Sequence, residues 1–510
     1  MAIKSSISLK NITKKFGSVV ASNDVSLDVE CGEVHALLGE NGSGKSTLMN
    51  MLAGIYLPDV GNIFVDEQIV SFHTPKDAIK IGIGMVHQHF KLVELLTAKE
   101  NIILGDNSAF FINDKKRTEK IENLCEKYGL AVNLDKKVYD MSVSEKQTVE
   151  ILKVLYRGAN LLILDEPTAV LTPQEIKVLF KIVRNMAEEG CAVIIITHKM
   201  GEVMEISDKV TVLRKGESIK TLQTKSTNPV ELTELMVGHA ISLDIERPTV
   251  ADDKKQEILD IKNVSLVDKN GINVLKDVSF TLNSGEILGI AGIAGSGQKE
   301  LCEAIAGLLS IKNGDIVFKK ESIIKFSPRE IIQKGISMSF IPEDRLGMGL
   351  VAGMNIIDNM LLKTYRNKKG LFVDRKEGKR LADEIIEKFS INTPSSQHIV
   401  KKLSGGNIQK VLLGREINLN PELLITAYPV RGLDIGASYH IYDILNEQKQ
   451  KGVGIIFVGE DLDVLISISD RILVMNGGEV MDIIPACETT KEEIGMLMMG
   501  HRGDEEGLSA

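Results

Sequence analysis

The chain has 510 residues, of which 43% are hydrophobic and 26% charged, and its formal net charge is -9. That length predicts two or three domains, and the acidic balance argues against nucleic acid as the main partner, because phosphate binding needs a basic face. The five cysteines form no CxxC pair and no secretory signal opens the chain, so we expect a reducing compartment. Apolar runs such as residues 192–196 are too short to cross a bilayer, so we expect no intrinsic membrane span.

The two halves of the chain repeat each other. GEVHALLGENGSGKSTLMNMLAG is echoed by GEILGIAGIAGSGQKELCEAIAG, and EISDKVTVLRKGE by SISDRILVMNGGE. The offset is 253 from Gly39 to Gly292 and 262 from Asp208 to Asp470, so the second copy carries nine more residues between these points. We therefore predict two similar domains, with limits and flanking segments as follows: domain 1 at residues 1–245, a charged linker at 246–256, domain 2 at 257–500 and a disordered tail at 501–510.

Strands are predicted to alternate with helices within each half. In the first half, runs at residues 7–9 and 25–29 are typical of an antiparallel edge sheet. The apolar run at 34–38 leads into a glycine loop and a helix that begins near Lys45. Further along, Ile121, Leu124 and Tyr128 recur at helical spacing and are expected in the core, and residues 161–164 and 193–196 are predicted buried strands. The predicted fold class is α/β, with a mostly parallel sheet core, an antiparallel β subdomain and a helical insertion in each domain.

A phosphate-binding motif of the form GxxxxGK[ST] occupies the glycine loop; it comprises Gly39, Glu40, Asn41, Gly42, Ser43, Gly44, Lys45, Ser46 and Thr47. Its glycines let backbone N–H groups converge on phosphate oxygens, and the helix that follows adds a favourable dipole. We expect Lys45 to bring its charge to the β- and γ-phosphates and Ser46 its hydroxyl to Mg²⁺. A chance glycine turn is the alternative, and the strand and helix on either side disfavour it.

Two carboxylates follow the predicted strand at residues 161–164. Asp165 is expected to bind Mg²⁺ and Glu166 to act on the attacking water. Taken alone, this pattern also suits a strand that ends in a solvated acidic turn, but the phosphate-binding motif upstream favours the catalytic interpretation. Gln88 is expected to reach the metal and the water, and His198 the γ-phosphate; each is an ordinary structural residue type when it occurs alone.

Together these residues resemble the ATP-binding-cassette family of ATPases, twice over and across nearly the whole chain. The resemblance implies two P-loop NTPase domains in tandem with ATP and Mg²⁺ as cofactors. It also implies head-to-tail packing, in which each ATP lies between the phosphate loop of one cassette and the LSGGQ signature of the other. The second half carries a close match to that signature at residues 403–407 (LSGGN), whereas the first half has MSVSE at residues 141–145.

The second half departs from the family pattern at its own phosphate loop. Gln298 replaces the lysine, Lys299 replaces the Mg-binding hydroxyl, and Ala427 and Tyr428 replace the two carboxylates. Head-to-tail pairing then assigns every intact residue to one composite site: Phe16 (stacked on adenine), Lys45, Ser46, Gln88, Asp165, Glu166 and His198 from the first half, with Ser404, Gly405, Gly406 and Asp434 from the second. The defects, together with Glu343 at the Gln88 position and Glu460 at the His198 position, fall in the other site. We therefore predict one hydrolytic and one degenerate site.

The overall pattern resembles the ATPases of ribose- and galactose-type importers, and GMVHQHFKLV, IPEDR, LSGGN and GEDLDVL resemble the nucleoside and simple-sugar branch of that group. This resemblance implies a peripheral ATPase on the cytoplasmic face of the cell membrane, two permease subunits that dock near Gln88 and Glu343, and an extracytoplasmic solute-binding protein. The alternative is a soluble, ribosome-associated tandem-cassette ATPase, which should have a long charged linker and two competent sites. A DNA-repair cassette ATPase should show a coiled coil or zinc motifs, and only measured ATPase activity would separate a regulatory scaffold from the importer.

Overall fold

Contacts within the chain divide it into two units, Met1–Ser242 and Leu243–Ala510. The computed structural model describes residues 6–17, 19–88, 90–105, 114–239, 245–250, 255–340, 349–365, 373–431 and 433–501. The predicted domain limits stay predictions. The predicted linker falls within the second unit, where the carbonyl of Glu246 accepts from Asn446 and Arg247 donates to the carbonyl of Ser469 at 2.9 Å. The predicted tail lies, from residue 502, outside the described residues.

The first unit contains ten strands and eight α-helices in its described part. The strands are β1 (Ser6–Phe16), β2 (Val19–Glu30), β3 (Val34–Gly39), β4 (Val60–Val65), β5 (Gln68–Val70), β6 (Ile83–Val86), β7 (Leu161–Asp165), β8 (Ala192–Thr197), β9 (Lys209–Arg214) and β10 (Glu217–Gln223). The helices are α1 (Lys45–Leu52), α2 (Pro75–Ile81), α3 (Ala98–Ile103), α4 (Asp114–Tyr128), α5 (Val143–Tyr156), α6 (Pro173–Glu188), α7 (Met200–Ile206) and α8 (Pro229–Val237).

An antiparallel sheet of four strands in the order β2-β1-β4-β5 begins this unit. Its inner face forms because apolar residues alternate with polar ones along β1 and β2, which places them on one side of the sheet. Ile7 pairs with Val29, and Leu9 with Leu27; all four side chains are buried. The predicted edge sheet is therefore present.

A second sheet carries the chemistry-bearing residues, with the order β10-β9-β3-β8-β7-β6. The strands from β9 to β6 are parallel, and β10 pairs antiparallel with β9. All residues of β3 and β8 are buried, as expected of parallel strands covered on both faces. Because the carboxyl ends of parallel strands meet at one edge, the phosphate loop, Asp165, His198 and Gln88 follow neighbouring strands at the same edge.

The predicted helical insertion is formed by α3, α4 and α5. Ile121 and Tyr128 are buried on α4 and Leu124 packs against the same core, which confirms the predicted apolar face of this helix. α5 begins after Ser142, whose hydroxyl accepts from the backbone N–H of Glu145 while the Glu145 carboxylate accepts from the backbone N–H of Ser142. This reciprocal capping box fixes the start of α5.

The second unit repeats this architecture. Its strands are β11 (Glu257–Val267), β12 (Asn273–Asn283), β13 (Ile287–Gly292), β14 (Asn313–Phe318), β15 (Glu321–Ser322), β16 (Ile336–Phe340), β17 (Leu423–Ala427), β18 (Gly454–Val458), β19 (Arg471–Asn476) and β20 (Glu479–Pro485). Its helices are α9 (Gln298–Ile305), α10 (Pro328–Gln333), α11 (Ile356–Leu361), α12 (Arg375–Lys388), α13 (Gly405–Asn418), α14 (Ile435–Gln450), α15 (Leu462–Ile468) and α16 (Lys491–Met498).

The strand orders of the second unit, β12-β11-β14-β15 and β20-β19-β13-β18-β17-β16, match those of the first. An α/β fold with a mostly parallel core, an antiparallel subdomain and a helical insertion was predicted for each half, and this architecture is confirmed in both. All five cysteines are free. Within the described ranges, no helix is both long and apolar enough to span a bilayer.

Candidate nucleotide site

The phosphate-binding loop joins the buried strand β3 to the helix α1. Gly44, directly before α1, has φ 99° and ψ 0°, and a Cβ built on it would lie 2.4 Å from the carbonyl oxygen of Ala21. Only glycine fits here without strain, because L side chains rarely adopt this conformation and the backbone of Ala21 is too close. By contrast, a Cβ on Gly42 would have no atom within 4 Å, so this part of the loop faces open space.

The Lys45 ammonium lies inside the turn of this loop. It donates to the carbonyls of Gly39 at 2.7 Å and Glu40 at 2.9 Å, and the side chain is buried. Burial lowers the pKa of Lys45, whereas the negative charges of Glu166, Asp165 and Glu40 act to raise it. The buried hydroxyl of Ser43 has no hydrogen-bond partner. An anion bound over the loop would therefore lie close to a buried cation.

Asp165 and Glu166 are adjacent carboxylates with opposite pKa shifts. Burial, together with the charge of Glu166, raises the pKa of Asp165 to about 6, although Lys45 acts in the other direction. A hydrogen bond from His198 lowers the pKa of Glu166. The raised pKa of Asp165 indicates a position where a cation would be stabilised, because two neighbouring carboxylates disfavour each other's charge.

Gln88, Glu166 and His198 meet in a single cluster. The Gln88 amide donates to Glu166 Oε2 at 3.0 Å, and His198 Nδ1 lies 3.1 Å from Glu166 Oε1. The backbone of Glu166 is in the left-handed region, with φ 47°, and its N–H donates to the carbonyl of Ile196 on β8 at 3.0 Å. Both oxygens of this carboxylate are thus held in place by neighbouring side chains.

Phe16 lies at the end of β1 with 43% of its surface exposed. The ring of Tyr56 packs edge-on against it, with 5.2 Å between ring centroids and 72° between planes, and Lys14 Nζ lies 5.6 Å from the Phe16 centroid. An exposed aromatic face of this kind can stack on a purine base. Tyr56 was not predicted from the sequence, because its contact with Phe16 joins residues forty positions apart.

The remaining residues of the predicted loop are accessible in part. Ser46 and Asn41 are exposed, and Thr47 is partly exposed in the first turn of α1, where backbone N–H groups have no partner within the helix.

The hydroxyl of Ser46, the carboxylate of Asp165 and the amide oxygen of Gln88 are the oxygen donors that suit a hard cation such as Mg²⁺. No group of three or more His, Cys, Asp or Glu that could hold a metal occurs among the described residues. A Mg²⁺ site of the predicted kind needs none, since it takes phosphate and water oxygens as its other ligands.

The second unit keeps the shape of the loop but not its cation. Gly297, directly before α9, has φ 98° and ψ 3°, almost the values of Gly44. Gln298 is buried and donates to the carbonyl of Ile293 at 3.2 Å, which is the counterpart of the Lys45 contact with Glu40. Lys299 is 48% exposed and lies 3.9 Å from Glu303. A neutral amide therefore takes the place of the buried ammonium.

The turn after β17 in the second unit also keeps its backbone. Tyr428 has φ 54°, and its N–H donates to the carbonyl of Val458 at 2.8 Å, as Glu166 does to Ile196. Burial raises the pKa of Tyr428 to about 12, and the charge of Glu460 acts in the same direction. Arg431 lies 6.0 Å from the Tyr428 ring centroid and 3.5 Å from Glu460. Glu343 and the IPEDR segment lie outside the described residues.

The two signature segments both begin a helix with a serine cap. Ser404 is exposed before α13, and its hydroxyl accepts from the Asn407 side-chain amide at 2.8 Å. Gly405 and Gly406 form the first turn of α13. In the first unit, Lys136 Nζ lies 2.8 Å from the Glu145 carboxylate, so this carboxylate is paired with a lysine and held in the capping box.

Asp434 caps α14, since its Oδ1 accepts from the backbone N–H of Ala437 at 2.7 Å. Thr172 occupies the matching position in the first unit and caps α6 in a capping box with Glu175. The structure therefore gives each of these residues a local capping role, and the predicted role of Asp434 at a nucleotide stays a prediction.

The fold and the loop define a tandem pair of P-loop nucleotide-hydrolase domains. A family model described as ABC transporter matches residues 22–169 and 275–429. The nucleoside import ATP-binding protein NupA of Lactococcus lactis subsp. cremoris is 42% identical over 98% of this chain and 99% of its own length. The guanosine import ATP-binding protein NupO of Bacillus subtilis is 44% identical over 98% of each chain, and the ribose import ATP-binding protein RbsA of Clostridium tetani is 38% identical over 96% of each.

The chain belongs to the ABC transporter family, and it is an ATP-binding protein and an ATPase. The predicted resemblance to the ATPases of nucleoside and simple-sugar importers is confirmed, and so is the predicted tandem of ATP-binding-cassette domains.

Proposed function

We propose that this chain is the ATP-hydrolysing subunit of an importer for nucleosides, and that it hydrolyses ATP at one composite site. The observation that carries the proposal is the cluster of Gln88, Glu166 and His198 beside Lys45 in the first unit. The second unit has Gln298, Ala427 and Tyr428 in its corresponding positions and yet retains the serine and glycines of the signature. Such a division of residues supports a shared site rather than two independent ones.

In the proposed mechanism, the loop from Gly39 to Thr47 holds the phosphates. The Lys45 ammonium, which donates to loop carbonyls in the ligand-free chain, would then donate to the phosphate oxygens. Mg²⁺, when bound by Ser46, Asp165 and Gln88, would neutralise charge that develops on the transferred phosphoryl group. Glu166 is ionised at neutral pH because its pKa is lowered, and it orients and polarises the attacking water. Gln88 and His198 keep the two oxygens of Glu166 in a fixed position, so that little reorganisation is needed during the reaction.

Ser404, Gly405 and Gly406 would complete the site from the second half, with the bare glycine backbone close to the γ-phosphate and Asp434 beside it. Their counterparts in the first half, Val143 and Ser144, carry side chains where the family uses glycine. In the first half Glu145 is also committed to Ser142 and Lys136. The other composite site would therefore lack both a lysine and a functional signature.

The proposed partners are two permease subunits and an extracytoplasmic solute-binding protein, with this chain peripheral on the cytoplasmic face. Exposed apolar side chains close to Gln88 in sequence support a docking surface in the first unit: Val93 is 43% exposed, Leu95 76% and Tyr139 52%. Backbone hydrogen bonds join this segment to the one that contains Tyr139, since the Tyr139 N–H donates to the Glu94 carbonyl at 3.1 Å. In the second unit Val351 and Met354 are exposed in a matching segment.

The composite site is tested by comparing the two capping serines. Ser404→Ala and Ser142→Ala each remove one helix cap, which costs about 1 kcal/mol in either case. We expect Ser404→Ala to reduce the ATPase rate of the full chain by about a hundredfold or more, as for loss of a transition-state donor, and Ser142→Ala to leave it nearly unchanged. Glu166→Gln should abolish turnover but retain ATP, and Tyr428→Phe should leave turnover within about threefold. Equal activity of the two serine variants would contradict the composite site.

The cargo is tested in proteoliposomes that contain the chain and the permeases encoded beside it. We expect the solute-binding protein loaded with a nucleoside such as guanosine to stimulate ATP hydrolysis, and the same protein offered ribose or galactose to leave it at the basal rate. Stimulation by a sugar alone would retain the importer but contradict the nucleoside cargo. Stimulation by ribosomes would favour the ribosome-associated alternative.

A further inference from the structure

A buried ion pair on α5 holds the backbone of Lys91, three residues after Gln88. The carboxylate of Glu150 accepts a hydrogen bond from the Lys91 N–H, and Lys153 Nζ donates to the Lys91 carbonyl at 2.8 Å. Glu150 and Lys153 lie 3.7 Å apart, and their relative exposures are only 5% and 9%. We call Glu150 and Lys153, together with the Lys91 peptide groups that they bind, the Lys91 clamp.

Burial of two charged side chains is costly unless their hydrogen bonds are satisfied. In the Lys91 clamp, each of the two charged side chains forms a hydrogen bond with the backbone of the same loop residue, Lys91. Three peptide units separate Gln88 from Lys91, so they can span about 10 Å at most. Because Lys91 is fixed to α5 through both its N–H and its carbonyl, the range of positions open to the Gln88 amide is restricted.

The second unit differs at the corresponding helix, α13. Leu412 stands where α5 has Glu150, and Arg415 stands where it has Lys153. The buried carboxylate is Glu416 instead, at the position of Val154, and it binds Arg415 at 2.7 Å. Glu416 also accepts hydrogen bonds from Lys363 and from the Ser337 hydroxyl on β16. The acidic member of the clamp is therefore present only in the unit that has Gln88, Glu166 and His198.

We infer that Glu150 and Lys153 are positioning residues that hold Gln88 against Glu166 by fixing the Lys91 backbone to α5. This inference rests on the proposed function of Gln88 and Glu166. The hydrogen bonds and the ion pair of the clamp involve no residue of the phosphate loop, so its effect is expected in the rate of hydrolysis rather than in ATP affinity.

The first test removes and restores the acceptor for the Lys91 N–H in the full chain. A misplacement of about 1 Å lowers a rate about a hundredfold, so we expect Glu150→Ala to reduce kcat by about tenfold to a hundredfold. The KM for ATP should change by less than about twofold, because the phosphate loop is untouched. Glu150→Gln retains an oxygen that accepts from Lys91, and it should return kcat to within about threefold of the original chain.

The second test uses two lysines that each donate to a backbone carbonyl. Lys153→Met removes the bond to Lys91, and we expect about a tenfold loss in kcat. Lys120→Met is the matched control: Lys120 Nζ donates to the carbonyl of Tyr156 at 2.7 Å, at the other end of α5 from Ser142. It should leave kcat unchanged.

Several results would overturn the inference. They are an unchanged kcat in Glu150→Ala, an equal loss in Glu150→Ala and Glu150→Gln, a loss confined to KM, and an equal loss in the two lysine variants. Glu166→Gln in the same assay separates this inference from the proposed function. If Glu166→Gln retains turnover, the proposed function fails; if it abolishes turnover while Glu150→Ala keeps full kcat, only the clamp fails.

Discussion

Replacement of Asp165 by Asn should stabilise the ligand-free protein at neutral pH. Burial and the neighbouring Glu166 raise the pKa of Asp165 to about 6. A carboxyl group with a raised pKa binds its proton more tightly in the folded than in the unfolded chain, so its ionised form destabilises the fold above that pKa. Asn cannot ionise and is close in size. The same change should abolish Mg-dependent ATP hydrolysis, because it removes the proposed carboxylate ligand.

The magnitude follows from the pKa shift. A rise from about 3.9 to about 6 corresponds to about 3 kcal/mol as an upper limit. Asp165 is only partly buried, and the remaining solvation reduces this to about 1–2 kcal/mol, or a rise in Tm of about 2–8 °C for a unit of this size. The stabilisation should be nearly full above about pH 7, about half as large at pH 5, and absent below about pH 3, where Asp165 is protonated in both states.

Scanning calorimetry of the full chain without nucleotide, at pH 7.5 and pH 5, measures this effect. Hydrogen exchange of peptides from β3 and β7 assigns the transition of the first unit. Asp77→Asn in the same unit is the control, because hydrogen bonds from Thr74 lower the pKa of Asp77 and its replacement should decrease Tm. A lower Tm in Asp165→Asn, or a gain that does not shrink between pH 7.5 and pH 5, would refute the electrostatic reasoning.

Two further substitutions test the nucleotide loops. Gln298→Lys should increase the number of ATP molecules bound per chain in equilibrium dialysis, because the loop backbone is retained. It should leave kcat unchanged, since Ala427 and Tyr428 supply no carboxylate. An increase in kcat would contradict this prediction. Phe16→Ala should raise the KM for ATP by about fivefold or more, because stacking of a base on an aromatic ring is worth about 1–3 kcal/mol, and it should leave kcat unaltered. An unchanged KM would exclude Phe16 from the base site.

The sequence predicted best what is determined by neighbouring residues. β3 begins and ends within one residue of its predicted limits and α1 begins at Lys45 as predicted, because a strand, a glycine turn and a helix start are set by local backbone preferences. Gln88, Glu166 and His198 were assigned to one site from the sequence, and their meeting follows from the topology, since each lies within two residues of the end of a strand in one parallel sheet.

Contacts that depend on tertiary packing were not predictable in the same way. Glu150 and Lys153 bind a peptide about sixty residues earlier in the chain, and on α5 they look like an ordinary i,i+3 pair. The role of Glu145 was open to prediction and was missed. Ser142 and Glu145 have the spacing of a capping box, and Lys136 pairs with the Glu145 carboxylate.

The second unit separates the backbone of a nucleotide site from its chemistry. Gly297 repeats the conformation of Gly44, and Tyr428 repeats the left-handed conformation of Glu166, although neither Tyr428 nor Gln298 can replace the side chain it stands for. A left-handed non-glycine residue costs about 1 kcal/mol or more and persists only where its surroundings determine it. Here the surroundings are a backbone hydrogen bond to the neighbouring strand in both units. The shape of the site is therefore a property of the sheet, and the proposed hydrolysis would require in addition side chains such as Lys45 and Glu166, which Gln298 and Tyr428 replace in the second unit.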